Sequence, residues 1–120
     1  MPKQRVKVRF HEQMPERMEP GDLFFISHHG GPATCRFWSN CDDRHLHVVL
    51  PNGHLWDIDG RASNCAVRED LAHRCWVRHG DPRTGDIHVD KEGVTCAAGA
   101  GSIVSSGYHG FLHHGELVEI

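Results

Sequence analysis

A chain of 120 residues fits one domain, 1–120, and can bury about two-thirds of the surface it exposes when unfolded. Hydrophobic residues are 38 % of the chain and are diluted by 13 glycines and 6 prolines, so turns are many and the core needs a second source of stability. A formal charge of −3 with no stripe of Lys/Arg argues against nucleic acid as a partner, and no segment reaches the ~18 apolar residues of a membrane helix.

The start, Met1-Pro2-Lys3-Gln4-Arg5, has no signal-peptide character, so a reducing cytoplasm is expected. Residues 5–10 alternate as a strand, with Val6, Val8 and Phe10 on one face and Arg5, Lys7 and Arg9 on the solvated one. Pro15 and Pro20 bracket a polar connection. Gly21-Asp22 then opens Leu23-Phe24-Phe25-Ile26, an apolar run of strand length, and His28-His29-Gly30-Gly31-Pro32 reads as a loop.

The strongest local signal is a hairpin. His45-Leu46-His47-Val48-Val49-Leu50 and His54-Leu55-Trp56-Asp57-Ile58 flank Pro51-Asn52-Gly53, and Asn-Gly suits a two-residue type I′ loop. That loop pairs Leu50 with Leu55 and Val48 with Asp57. One face then carries Leu46, Val48, Leu50 and Leu55, and the other His45, His47, Val49, Trp56 and Ile58.

Residues 67–73 suit a short helix capped by Asn64. Cys75-Trp76-Val77 reads as a strand ending at Gly80, residues 81–85 as a turn, and Ile87-His88-Val89 and Val94-Thr95-Cys96 as strands. Residues 97–103 are too rich in glycine for a helix, at ~1 kcal/mol per glycine. A last hairpin runs from Tyr108 to Leu112, turns through His113-His114-Gly115 and returns over 117–120. The expected fold is mostly β: a small antiparallel sheet or sandwich, or a partly open barrel, of about seven short strands with at most one short helix.

Five cysteines, an odd number in a reducing compartment, are not a disulfide framework. Cys35, Cys41, His45 and His47 follow the spacing C-x5-C-x3-H-x-H, and zinc takes three or four N/S ligands that loops and strand starts deliver well. His45 and His47 share a strand face, although His47 also suits a packing role. Cys75 and Cys96 read as buried thiols, Cys65 suits either role, and His109 taken alone is an ordinary strand histidine. The 12 histidines are spread from His11 to His114, and many are expected to be idle.

The chain also resembles a bacterial and phage family of small uncharacterised domains. The likeness rests on Pro20-Gly21-x-Leu23-x-x-x-Ser27, cysteines after Ala33-Thr34, residues 87–94, Gly101-Ser102-Ile103, and His109-x-Phe111-Leu112-x-x-Gly115-x-Leu117. Members are usually taken to bind zinc, and some lie near ubiquitin-like conjugation genes. Here Cys35-x5-Cys41 replaces their denser cysteine motif, Ser106 stands where a cysteine precedes their histidine, and residues 54–78 form a longer insert. The resemblance implies Cys35, Cys41 and His109 as ligands, with His45 or Cys96 as the fourth, and implies no activity.

The expected function is thus a zinc-binding structural or protein-interaction module, with ligands Cys35, Cys41, His45 and His109 and no catalytic residue assigned. A first alternative is a hydrolase. Residues 20–25 followed by His45-x-His47-Val48-Val49-Leu50 are similar to the histidine-bearing strand pair of papain-like cell-wall peptidases. No cysteine precedes this block, so a permuted Cys-His pair would use Cys96. An open zinc site could instead draw its base from Asp42, Asp43, Asp57 or Asp59, although neither H-E-x-x-H nor the deaminase pattern occurs. A second alternative is a phage virion or accessory protein, with Trp38, Trp56 and Trp76 as interface anchors and strand edges for assembly.

Overall fold

The computed structural model describes residues 5–27, 44–59, 76–90, 103–105 and 107–120. The predicted helix over 67–73, the predicted strand over 94–96 and Trp38 lie outside them. Among the described residues the fold is β throughout, with ten strands and a single 3₁₀ turn. None of these elements is a helix long and apolar enough to cross a membrane.

The strands are β1 (Arg5–Lys7), β2 (Arg9–Phe10), β3 (Asp22–Ser27), β4 (Arg44–Val49), β5 (Leu55–Asp57), β6 (Val77–Asp81), β7 (Asp86–Asp90), β8 (Ile103–Ser105), β9 (Tyr108–His113) and β10 (Glu116–Glu119). They form three small sheets in the orders β1-β10-β9-β8, β2-β3-β4-β5 and β6-β7. Every pairing is antiparallel except β2 on β3. No sheet closes on itself, so among the described residues this is an open arrangement of packed sheets.

The first strand expected from alternation proves to be two. Residues 5–7 pair with β10, whereas residues 9–10 pair with β3 in a different sheet. The crossover is Val8, which is buried and donates its N–H to Gly115 O at 2.9 Å. Such splitting, and the short β8 at the end of the glycine-rich stretch, add strands to those expected, and the described residues hold ten where about seven were expected in the chain. Alternation reports which side chains turn inward; it does not report which partner takes up the backbone N–H groups.

The central hairpin also differs from its expected register. Leu50 N donates to His54 O, and Gly53 N donates back to Leu50 O, both at 2.8 Å. The loop is therefore three residues, Pro51-Asn52-Gly53, with Gly53 at φ 86. Proline fixes φ near the value wanted at the second position of a type I turn, and glycine then takes the left-handed position that completes it. Val49 consequently pairs with Leu55, Val48 with Trp56 and His47 with Asp57. The shift of one residue exchanges the faces of β5. Trp56 is buried at 9 % exposure on the face of Leu46 and Val48, whereas Leu55, expected on that face, is 38 % exposed.

All three sheets contribute to one core. Val8, Leu23, Leu46, Val48, Leu50, Trp56 and Ile58 meet Trp76, Ile87 and Val89, and then Ile103, Tyr108, Leu112 and Leu117. Trp56 and Trp76 meet edge to face, with ring centroids 5.1 Å apart and planes at 87°.

Candidate functional site on strands β4 and β5

Strand β4 turns Leu46 and Val48 into the core, so His45, His47 and Val49 project to the other face. The three-residue loop sets Asp57 directly opposite His47 on that face. Asp57 Oδ2 lies 2.8 Å from His45 Nδ1 and 3.9 Å from His47 Nε2. The His45 side chain has no exposure, His47 keeps 13 % and Asp57 26 %. One carboxylate thus stands between two imidazoles, and its other oxygen, Oδ1, is buried without a hydrogen-bond partner among the described residues.

Bond directions decide the tautomers. A carboxylate accepts only, so His45 Nδ1–H donates to Asp57. His47 Nδ1 lies 3.0 Å from His45 O, which also accepts only, so His47 donates from Nδ1. In the neutral form of each ring the basic nitrogen is therefore Nε2. An imidazole whose Nδ1–H is held by a carboxylate or carbonyl is oriented for a metal at Nε2, or for accepting a proton there.

The backbone between these histidines is held from both sides. Ile58 N donates to Leu46 O at 2.9 Å, and Leu46 N donates to Asp59 Oδ2 at 2.9 Å. Asp59, 3 % exposed, also accepts from Arg78 Nε on β6 at 2.9 Å. Arg78 in turn lies over the Phe25 ring, 5.5 Å from its centroid. The clasp locks residue 46 to the neighbouring hairpin and so fixes where His45 and His47 point.

Of the four expected ligands, His45 occupies this site, whereas Cys35 and Cys41 lie outside the described residues, as do Cys65, Cys75, Cys96, Asp42, Asp43 and Ser106. His109 is on β9 in another sheet and exposed, because β9 turns Tyr108, Gly110 and Leu112 inward and the alternate residues outward. Among the described residues no group of three or more His, Cys, Asp or Glu side chains is arranged to hold a metal ion. The roles of Asp57 and Asp59 were not separable in the sequence, where both were acidic residues near a cysteine–histidine cluster. Their difference follows from register, since Asp57 shares a face with the histidines and Asp59 reaches back to the backbone beneath them. Comparison with known proteins finds no matching family model, no matching curated protein and no matching solved structure.

Proposed function

We propose that the chain is a metal-binding β domain, with zinc as its ion, in which Cys35, Cys41 and His45 are ligands. The observation that carries this reading is the His45–Asp57 pair: a fully buried imidazole donates Nδ1–H to a carboxylate at 2.8 Å, the bond that orients a metal-ligating histidine and fixes its tautomer. Cys41 precedes this histidine by four residues, within reach of the same ion, and thiolates together with imidazole suit zinc. The fourth position falls to Cys96, His47 or His109. The role is structural, with a protein as partner. Val104 on β8, 71 % exposed, gives an apolar contact at the edge of its sheet.

The test is the metal content of untagged protein, measured by elemental mass spectrometry with the Cys41→Ser and Asp57→Asn variants beside it. About one zinc per chain is expected in the wild type, lost in Cys41→Ser and weakened ~10–100-fold in affinity in Asp57→Asn. Metal-free protein that still melts cooperatively overturns the reading.

A second reading is a hydrolase in which His47 Nε2 is the general base, the ring is oriented through Nδ1–H by His45 O, and Cys96 is the nucleophile. The Nδ1–H bond to His45 O favours it, because it leaves Nε2 as the basic nitrogen of the His47 ring. It requires Cys96 to react rapidly with iodoacetamide near neutral pH and to slow in His47→Ala. Equal rates in the two proteins exclude it.

A further inference from the structure

Away from that site, the β6–β7 and β9–β10 hairpins meet through imidazoles. His79 and His88 are directly opposed across β6 and β7, with centroids 6.2 Å apart. The His88 ring stacks on His113 at 4.4 Å and 25°, and its centroid is 4.5 Å from that of His114. Phe111 continues the stack beyond His113 at 4.7 Å. Four titratable rings from two hairpins thus form one contact.

Among the described residues the carboxylates near the rings are Asp90, Asp86 and Glu116. Asp90 serves two of the rings, with Oδ1 2.9 Å from His79 Nε2 and Oδ2 3.4 Å from His88 Nε2. Asp86 shares the face of β7 that carries His88 and Asp90, and it is exposed. Glu116, opposite His113 on β10, lies 3.9 Å from Arg5 on β1. Arg83 in the 3₁₀ turn lies 3.5 Å from Glu12, and His109 is four residues from His113 on the outward side of β9. His88 Nδ1 is buried with no hydrogen-bond partner among the described residues. Neutral rings stack at these distances, whereas two protonated rings would place like charges in contact.

The contact is tied to the backbone. His114 at φ 51 and Gly115 at φ 80 form a two-residue turn of type I′, and histidine is among the side chains that tolerate this conformation. Gly115 N donates to Ile87 O on β7 at 2.7 Å, and Gly115 O accepts from Val8 N at 2.9 Å. Separating the rings therefore breaks the bonds that join the β9–β10 turn to β7 and to the crossover between β1 and β2.

We propose that His79, His88, His113 and His114 form a proton-operated latch between the β6–β7 and β9–β10 hairpins, closed while the rings are neutral and released on mild acidification. Burial, then the neighbouring His88 and His114, hold His113 below the ordinary histidine value of 6.5, with Asp90 pulling the other way. A histidine with a lowered folded-state value takes up its proton later in the closed form than in the open one. Closure is therefore at full strength above about pH 6.5 and weakens as pH falls through that value toward the lower folded one. Each proton bound only by the open form raises the opening constant about tenfold per pH unit.

The test is hydrogen exchange read by mass spectrometry on the whole chain from about pH 8 to about pH 5, corrected for intrinsic exchange. Residues 77–90 and 107–119 are expected to lose protection together below about pH 6.5, while β3 and β4 stay protected. Trp76, at the entrance to β6 and in contact with Trp56, reports the same event by fluorescence. His113→Phe keeps the stack without a titratable ring and is expected to move the transition to lower pH. His54→Gln, at an exposed histidine outside the cluster, is expected to leave it in place. Uniform protection across the range overturns the proposal, as does an unchanged transition in His113→Phe. If that variant does not fold, nuclear magnetic resonance titration of the wild-type histidines decides. An ordinary His113 titration independent of its neighbours overturns the latch, and a lowered one coupled to theirs supports it.

Discussion

Replacing Asp59 with alanine removes one carboxylate that serves two donors, the buried N–H of Leu46 and Nε of Arg78, each at 2.9 Å. Leaving a buried N–H unsatisfied costs about 1–3 kcal/mol, and removing one partner of a buried ion pair costs about 3–5 kcal/mol. The costs overlap because they share a carboxylate. Arg78 keeps 23 % exposure and recovers some hydration, which places the total near the lower figure, about 3–4 kcal/mol. At this chain length ~1 kcal/mol moves the melting temperature by roughly 4–6 °C, so Asp59→Ala should melt about 12–24 °C lower. Asp59→Asn retains one acceptor and should lose about half as much, ~1–2 kcal/mol. Adding Arg78→Met to Asp59→Ala should return part of the loss, since a buried pair replaced by apolar groups is close to neutral, and the methionine still covers Phe25. Urea unfolding with a constant slope is the assay. A loss below ~1 kcal/mol in Asp59→Ala, or a double variant less stable than the single one by the full cost of Arg78→Met, refutes the clasp.

Two further predictions concern stability. At Gly110 on β9 a Cβ would collide with Val118 O on β10 and with the Tyr108 ring, whose Cζ would be 2.7 Å away. Backbone cannot yield cheaply there, so Gly110→Ala should cost about 1–3 kcal/mol in urea unfolding, and wild-type stability would show that β9 and β10 separate freely. Burial alone would raise the Asp22 carboxyl, but bonds from the Glu19 N–H, His11 and Arg9 hold it below the ordinary 3.8. A lowered folded value means that Asp22 stabilises above about pH 3.8 and that this contribution is lost as pH falls below it. Asp22→Asn should flatten the acid limb of the stability curve in that window, and an unchanged limb would assign the acid loss to other carboxylates.

Alternation in the sequence put Leu46, Val48 and Leu50 on one face of β4 and His45 and His47 together on the other, and packing then made the first the core face. Alternation is local, so it survives whatever packs on it. The Pro51-Asn52-Gly53 turn was legible as a position, but its length was not. Whether Pro51 belongs to the strand or to the loop depends on the partner that Leu50 N finds, and a single residue of difference reversed the faces of Leu55 and Trp56. The candidate site was accordingly half legible, its histidines visible and its carboxylate misplaced to the other face. The splitting of residues 5–10 between two sheets, the Asp59–Arg78 clasp and the stack of His88 on His113 were not legible at all. Each joins residues that local patterns do not relate, and only tertiary packing selects among the acidic residues and 12 histidines the ones that meet. Composition and period thus determined a small, turn-rich β domain, because side-chain direction along a strand is a property of the chain. Which strand lies beside which, and hence which charges and rings meet, was decided by the competition among backbone partners in the folded molecule.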